Sequence, residues 1–105
     1  MSEEKTTCQS PHPDKQPTNI PTWKYQAVHD AILAVAPKKD PGIAAMDLPG
    51  AVKQQLPAKI LRKLGSVSWH TTTVKLHMEV TGELRRVPEL KPHRLVGTGK
   101  PPKQV

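Results

Sequence analysis

Cysteine, long apolar runs and C-terminal acidic residues are all scarce in this sequence, and each scarcity closes off a class of function. A single cysteine, Cys8, cannot form an internal disulfide and excludes a zinc site built from several thiolates. No run approaches the 18 apolar residues of a membrane-spanning helix. The opening stretch, Met1–Lys15, holds no apolar segment of the kind a secretory signal carries, so a cytoplasmic location is expected. There is no close carboxylate pair, no nucleophile elbow and no glycine-rich phosphate loop. Gly97 and Gly99 lack the following helix that a phosphate cradle needs. His70 and His77 lie two helical turns apart, about 10 Å by helix rise, too far to share one zinc ion. No enzymatic activity, cofactor or metal is therefore expected.

What is present is positive charge, unevenly spread. Sixteen Lys and Arg stand against nine Asp and Glu, a formal net charge of +7 over 105 residues. Residues 1–57 carry six of each sign, while residues 58–105 carry ten basic and three acidic side chains. Such asymmetry points to a polyanionic partner. Modest positive charge also keeps a small protein dispersed, so charge alone leaves both readings open.

The length fits one domain. Hydrophobic residues make up 35%, low enough that part of the chain should be unstructured. Residues 1–21 hold four prolines and almost no large apolar side chain before Ile20, and read as a disordered N-terminal tail. Cys8 would then be exposed, with nothing beside it to lower its pKa. Residues 97–105 read as a flexible C-terminal tail, leaving a folded domain over residues 22–96.

Within that domain Tyr25, Val28, Ile32 and Val35 fall on one helical face, with Thr22 as N-cap and Pro37 as stop, which predicts a helix over 23–36. Ile43 opens a short segment that suits a single bridging strand. Asp47 caps a second helix, Pro49 sits in its tolerant first turn, and Pro57 ends it. Residues 58–65 suit a short helix closed by Gly65, or an ordered loop.

Residues 66–82 support two readings. Val74, Leu76, Met78 and Val80 alternate with Lys75, His77 and Glu79 behind a run of threonines, as in an amphipathic strand. A helix instead puts Trp69, Thr73, Leu76 and Val80 on one side and Val67, Val74 and Met78 on the other, so it must be covered on both. Ser66 or Ser68 can cap that helix and Gly82 can end it, and the helix is the expectation adopted. Leu84–Val87 and His93–Val96 then form two short strands around a proline-bounded loop.

Met78-Glu79-Val80-Thr81-Gly82-Glu83-Leu84-Arg85-Arg86 resembles the Leu-Glu-x-x-Gly-x-Ile-x-Arg pattern by which winged helix-turn-helix domains leave their third helix and enter the wing. Over residues 20–96 the chain resembles a family of short bacterial winged-helix-like proteins of undefined function. The residues that carry this are a Tyr- and Ile-bearing first helix, Trp69 with Thr73 through Gly82, and Lys91-Pro92-His93-Arg94-Leu95. The chain departs from the family pattern at His77, where an acidic residue is usual, and at Met78, where a leucine is. The resemblance implies a mainly α fold with a small β-hairpin: three helices plus a two- to three-stranded wing.

In such a domain the third helix enters the major groove and the wing touches the backbone. His70, Thr71 and Lys75 are the candidates for contact from the helix. Arg85, Arg86, Lys91 and Arg94 are the candidates from the wing, with Lys59, Arg62 and Lys63 as a possible flank. That helix has one Lys and no Arg, Asn or Gln, the strongest readers of base edges. The expected function is binding of duplex DNA. The alternative is a protein-interaction or homodimer module without nucleic-acid affinity, since the fold does not fix the function. No membrane partner is expected. Trp23 and Trp69 read as core anchors, and His29 beside Asp30 as an ordinary half-exposed residue.

Overall fold

A computed structural model of the chain describes residues 4–11, 15–39, 41–87 and 93–102. Four α-helices and two small antiparallel sheets make a mainly helical, mixed α/β molecule. Prolines set two helix ends. Helix α1 (Thr22–Val35) stops at Ala36, whose ψ of 119° is the extended conformation forced on a residue that precedes proline, here Pro37. Helix α2 (Leu48–Gln55) stops the same way at Leu56, ψ 138°, before Pro57. A 3₁₀ turn, Ala45–Asp47, leads into α2, and Asp47 makes no side-chain cap bond.

Helix α3 (Ala58–Leu64) stands as a separate element, so the described residues hold four α-helices where three were expected. Helix α4 (Val67–Thr81) is the long one. Ser66 Oγ accepts a hydrogen bond from the Trp69 N–H at 3.1 Å, and Gly82 takes the left-handed conformation at φ 87°. The N–H groups of Gly82 and Glu83 both reach back to the Met78 carbonyl and close the helix end.

Packing decides the contest between strand and helix in this segment. As a helix, it places Val74 and Met78 one turn apart on a fully buried face. Helices α1 and α2 close over that face, with Val28, Ile32, Leu48 and Val52 in the same core. Burying such side chains gains about 1.5–3 kcal/mol each, more than local β propensity is worth.

Two N-terminal strands, β1 (Lys5–Cys8) and β2 (Thr18–Pro21), pair antiparallel with Thr6 opposite Ile20. This overturns the expected disordered tail. Cys8 and Ile20 are the apolar side chains that the hairpin supplies, and both are buried in the common core. Burial also pushes the Cys8 thiol up to about 11, so Cys8 is not the exposed cysteine expected. Strands β3 (Ile43–Ala44), β4 (Leu84–Arg86) and β5 (Arg94–Gly97) form the second sheet in the order β3-β5-β4, with Ile43 opposite Leu95 and Arg85 opposite Val96. Gly97 belongs to β5 rather than to a tail, and the Thr98 N–H donates to the Glu83 carbonyl. No helix among the described residues is long and apolar enough to cross a membrane.

Candidate functional site

The polar residues expected to face a DNA groove from α4 point into the protein instead. Thr71 is 1% exposed, and His70 and Lys75 are buried as well. His70 Nδ1 bonds the Ser66 carbonyl oxygen at 2.7 Å, and Lys75 Nζ lies 3.6 Å from Glu79 Oε2. The Thr71 hydroxyl has no hydrogen-bond partner among the described residues. The early turns of α4 expose Ser68, Trp69 and Thr72. Trp69, at 48% exposure, is therefore not the core anchor expected.

The strand arginines have separate tasks. Arg86 Nε donates to Glu79 Oε1 at 2.6 Å. Arg94 donates to the carbonyls of Pro41 and Gly42, at 3.0 and 2.8 Å, and so pins the turn before β3 to β5. Arg85 is exposed at the middle of β4. Lys91 lies outside the described residues.

Helices α2 and α3 expose Lys53, Lys59, Arg62 and Lys63. An open cleft of about 490 Å³ runs between these helices and the start of α4, lined by Lys53, Gly50, Leu61, Ser66 and Ser68.

A second cleft, of about 440 Å³, holds a cluster of titratable side chains from distant parts of the chain. Tyr25 and His29 lie one turn apart on α1, and their rings stack at 5.5 Å. His77, from α4, meets Tyr25 edge-on at 5.7 Å. Glu83, 4% exposed, follows the α4 cap. Its Oε2 is 2.6 Å from His29 Nε2, and its Oε1 accepts from the Thr81 hydroxyl at 2.8 Å. His29 Nδ1 is 3.1 Å from Asp30 Oδ1, so the ring is bracketed by two carboxylates.

The two imidazoles lean in opposite directions. Burial opposes charge on His29, but the bonds to Glu83 and Asp30, together with their negative charge, outweigh it and hold its pKa above the ordinary imidazole value. Burial depresses His77; the Glu83 charge partly offsets this and the nearby His29 adds to it. Burial, helped by the Glu83 charge, pushes the Tyr25 hydroxyl up to about 12. Of the two imidazoles, the cluster therefore favours the proton on His29 over His77.

Sequence reading missed this cluster and took His29 for a half-exposed residue beside Asp30. The available signals were two i, i+4 pairs, Tyr25–His29 and His77–Thr81, each of which puts its members on one helix face. Nothing in the spacing says that the two faces meet. Among the described residues no group of three or more His, Cys, Asp or Glu is placed to hold a metal ion.

No curated protein and no solved structure matches the chain. Residues 5–95 match a family of unknown function, DUF6958, a span that runs from β1 into β5 and includes the N-terminal hairpin. The chain belongs to that family.

Proposed function

We propose that this chain is a winged-helix-like module that binds duplex DNA through α3 and the adjoining ends of α2 and α4. Its order of elements supports the fold reading. A strand between the first two helices pairs with the last strand, and the last helix passes through a left-handed glycine into a short hairpin. The observation that carries the DNA reading is electrostatic. From Leu48 to Met78 there is no acidic residue, and that stretch exposes Lys53, Lys59, Arg62 and Lys63. Such a stretch, with four exposed basic side chains and no carboxylate within it, favours phosphates. The contact surface is displaced from the one expected, because His70, Thr71 and Lys75 are buried; Ser68 and Thr72 take their place as the polar side chains α4 offers.

Fluorescence anisotropy of a labelled duplex, across about 50–200 mM salt, tests the proposal. Four phosphates neutralised give a log–log slope of about −3.6. Changing Lys59, Arg62 and Lys63 together to Ala should weaken binding at every salt concentration and flatten the slope by about 2.7. No salt-sensitive binding at micromolar protein, or a triple variant that binds like the parent, refutes it.

A second reading rests on Trp69. A large exposed aromatic beside exposed Ser68 and Thr72 suits a protein contact, including a second copy of this chain. Light scattering over a concentration series distinguishes the two: a mass that doubles in the parent but not in Trp69→Ala supports the dimer, and a constant monomer mass removes it.

A further inference from the structure

Besides the burial of Cys8 and Ile20 in the core, the N-terminal hairpin is hydrogen-bonded to the rest of the molecule at two places of different chemistry. At its α1 end, the Thr22 N–H donates to the Glu4 carbonyl at 2.9 Å, and the Thr6 and Thr22 hydroxyls lie 2.8 Å apart. No group in these bonds gains or loses a proton between pH 4 and 9. At its α4 end, the Gln9 N–H donates to His77 Nδ1 at 3.0 Å, a bond between residues 68 apart in the chain. This bond ties the end of the hairpin to α4, and its acceptor is an imidazole nitrogen. An imidazole accepts through a ring nitrogen only when that nitrogen carries no proton.

We propose that His77 is an acid-sensitive latch. A proton taken from solvent onto Nδ1 abolishes the acceptor, turns the contact into two N–H groups facing one another, and lets the segment from Gln9 to Pro11 lift off α4 while Cys8 stays in the core. The groups around the ring do not replace the lost bond. From α1, Tyr25 offers a ring edge, and the His29 imidazole repels a second cation. Glu83, beyond the α4 cap, favours the cation, but its two oxygens are engaged by His29 and Thr81. From β1, Cys8 is a neutral buried thiol. Lifting the segment opens the small cleft in which Cys8, Gln9, Ser10 and Thr18 lie against Thr73 and Leu76, and so uncovers the outward side of mid-α4. This inference concerns the hairpin and stands independently of DNA binding.

Amide hydrogen exchange by NMR, corrected for the intrinsic pH dependence of exchange, reads the latch directly in the full-length protein. Between the His77 pKa of the closed form and that of the open form, the opening constant should rise by up to tenfold per pH unit of acidification. Protection of Gln9 should fall in step with the His77 ring titration, while the β4–β5 amides hold theirs. His77→Asn puts an oxygen near the place of Nδ1 and should keep Gln9 protected with the pH dependence removed. Gln9 protection that stays constant through the His77 titration overturns the proposal. So does an Asn variant that loses protection with acid as the parent does.

Discussion

Removing the His29 side chain should expose how much the fold depends on the Glu83 pair. Glu83 is buried and bonded at 2.6 Å to His29, whose own side chain is 14% exposed. In His29→Ala the carboxylate keeps the Thr81 hydroxyl as its side-chain partner among the described residues and stays largely buried. Taking one member from a buried, hydrogen-bonded pair costs about 3–5 kcal/mol. A chain of this size has about 5–15 kcal/mol in total, so the loss is a large share. It corresponds to a fall in melting temperature of about 12 °C or more. The pH dependence gives the sharper test. The pKa of His29 is raised in the folded state, so the pair's contribution is fully present below the unfolded imidazole value of 6.5 and is lost as pH rises through the folded value. Urea unfolding followed by helical circular dichroism should therefore show the largest parent-to-variant gap below pH 6.5 and a smaller one at pH 9. Glu83→Gln keeps an acceptor for Thr81 without the charge, and the double variant should recover about 1–3 kcal/mol relative to the sum of the singles. A His29→Ala cost below about 1 kcal/mol, or a gap that does not change with pH, would refute the reasoning.

Two further substitutions test the packing. Gly42 has φ 71°, and a Cβ there would overlap the Leu95 carbonyl and lie 2.7 Å from Val96 Cγ1, so Gly42→Ala should lose about 3 kcal/mol or more in urea unfolding by separating β3 from β5. A loss below about 1 kcal/mol would mean that the turn relaxes freely. Thr71→Val replaces a buried hydroxyl that lacks a partner with a methyl group of similar size, so stability should stay level or rise by about 1 kcal/mol, and DNA affinity should not change. A fall in affinity with the fold intact would return Thr71 to the contact surface.

The helix ends were legible because they follow local rules, whereas in α4 packing had to outweigh a local preference for strand. Pro37 and Pro57 act on the residue before them wherever they stand, and Ser66 and Gly82 satisfy a helix end with their own atoms. The N-terminal hairpin was not legible. Its strands are four residues each, separated by a stretch holding Pro11, Pro13 and Pro17, and Cys8 and Ile20 are buried only because α1 and α4 are there to receive them. The cluster around Glu83 escaped for the same reason. His29 and Glu83 are 54 residues apart, and the chain carries no local mark that one will neutralise the other.

The misreading of α4 has a physical cause of its own. A helix with His70, His77 and Thr81 on one flank and Thr71 and Lys75 on another looks like a polar surface turned to a ligand, since burying such groups unpaired costs about 1–3 kcal/mol each. In four of the five the cost is offset within the molecule. His70 bonds the Ser66 carbonyl one turn back, and Lys75 faces Glu79 one turn on. His77 takes the Gln9 N–H, and Thr81 donates to Met78 and Glu83. Three of those arrangements are local, and a wheel projection shows only the flank on which each residue lies, not what it bonds. Polar groups bonded inward also constrain how neighbours can dock, because a shifted register would leave them unpaired in a medium of low dielectric. The polar groups of α4 are thus largely bonded inward, and the exposed positive charge of this region, Lys53, Lys59, Arg62 and Lys63, lies on the two shorter helices before it.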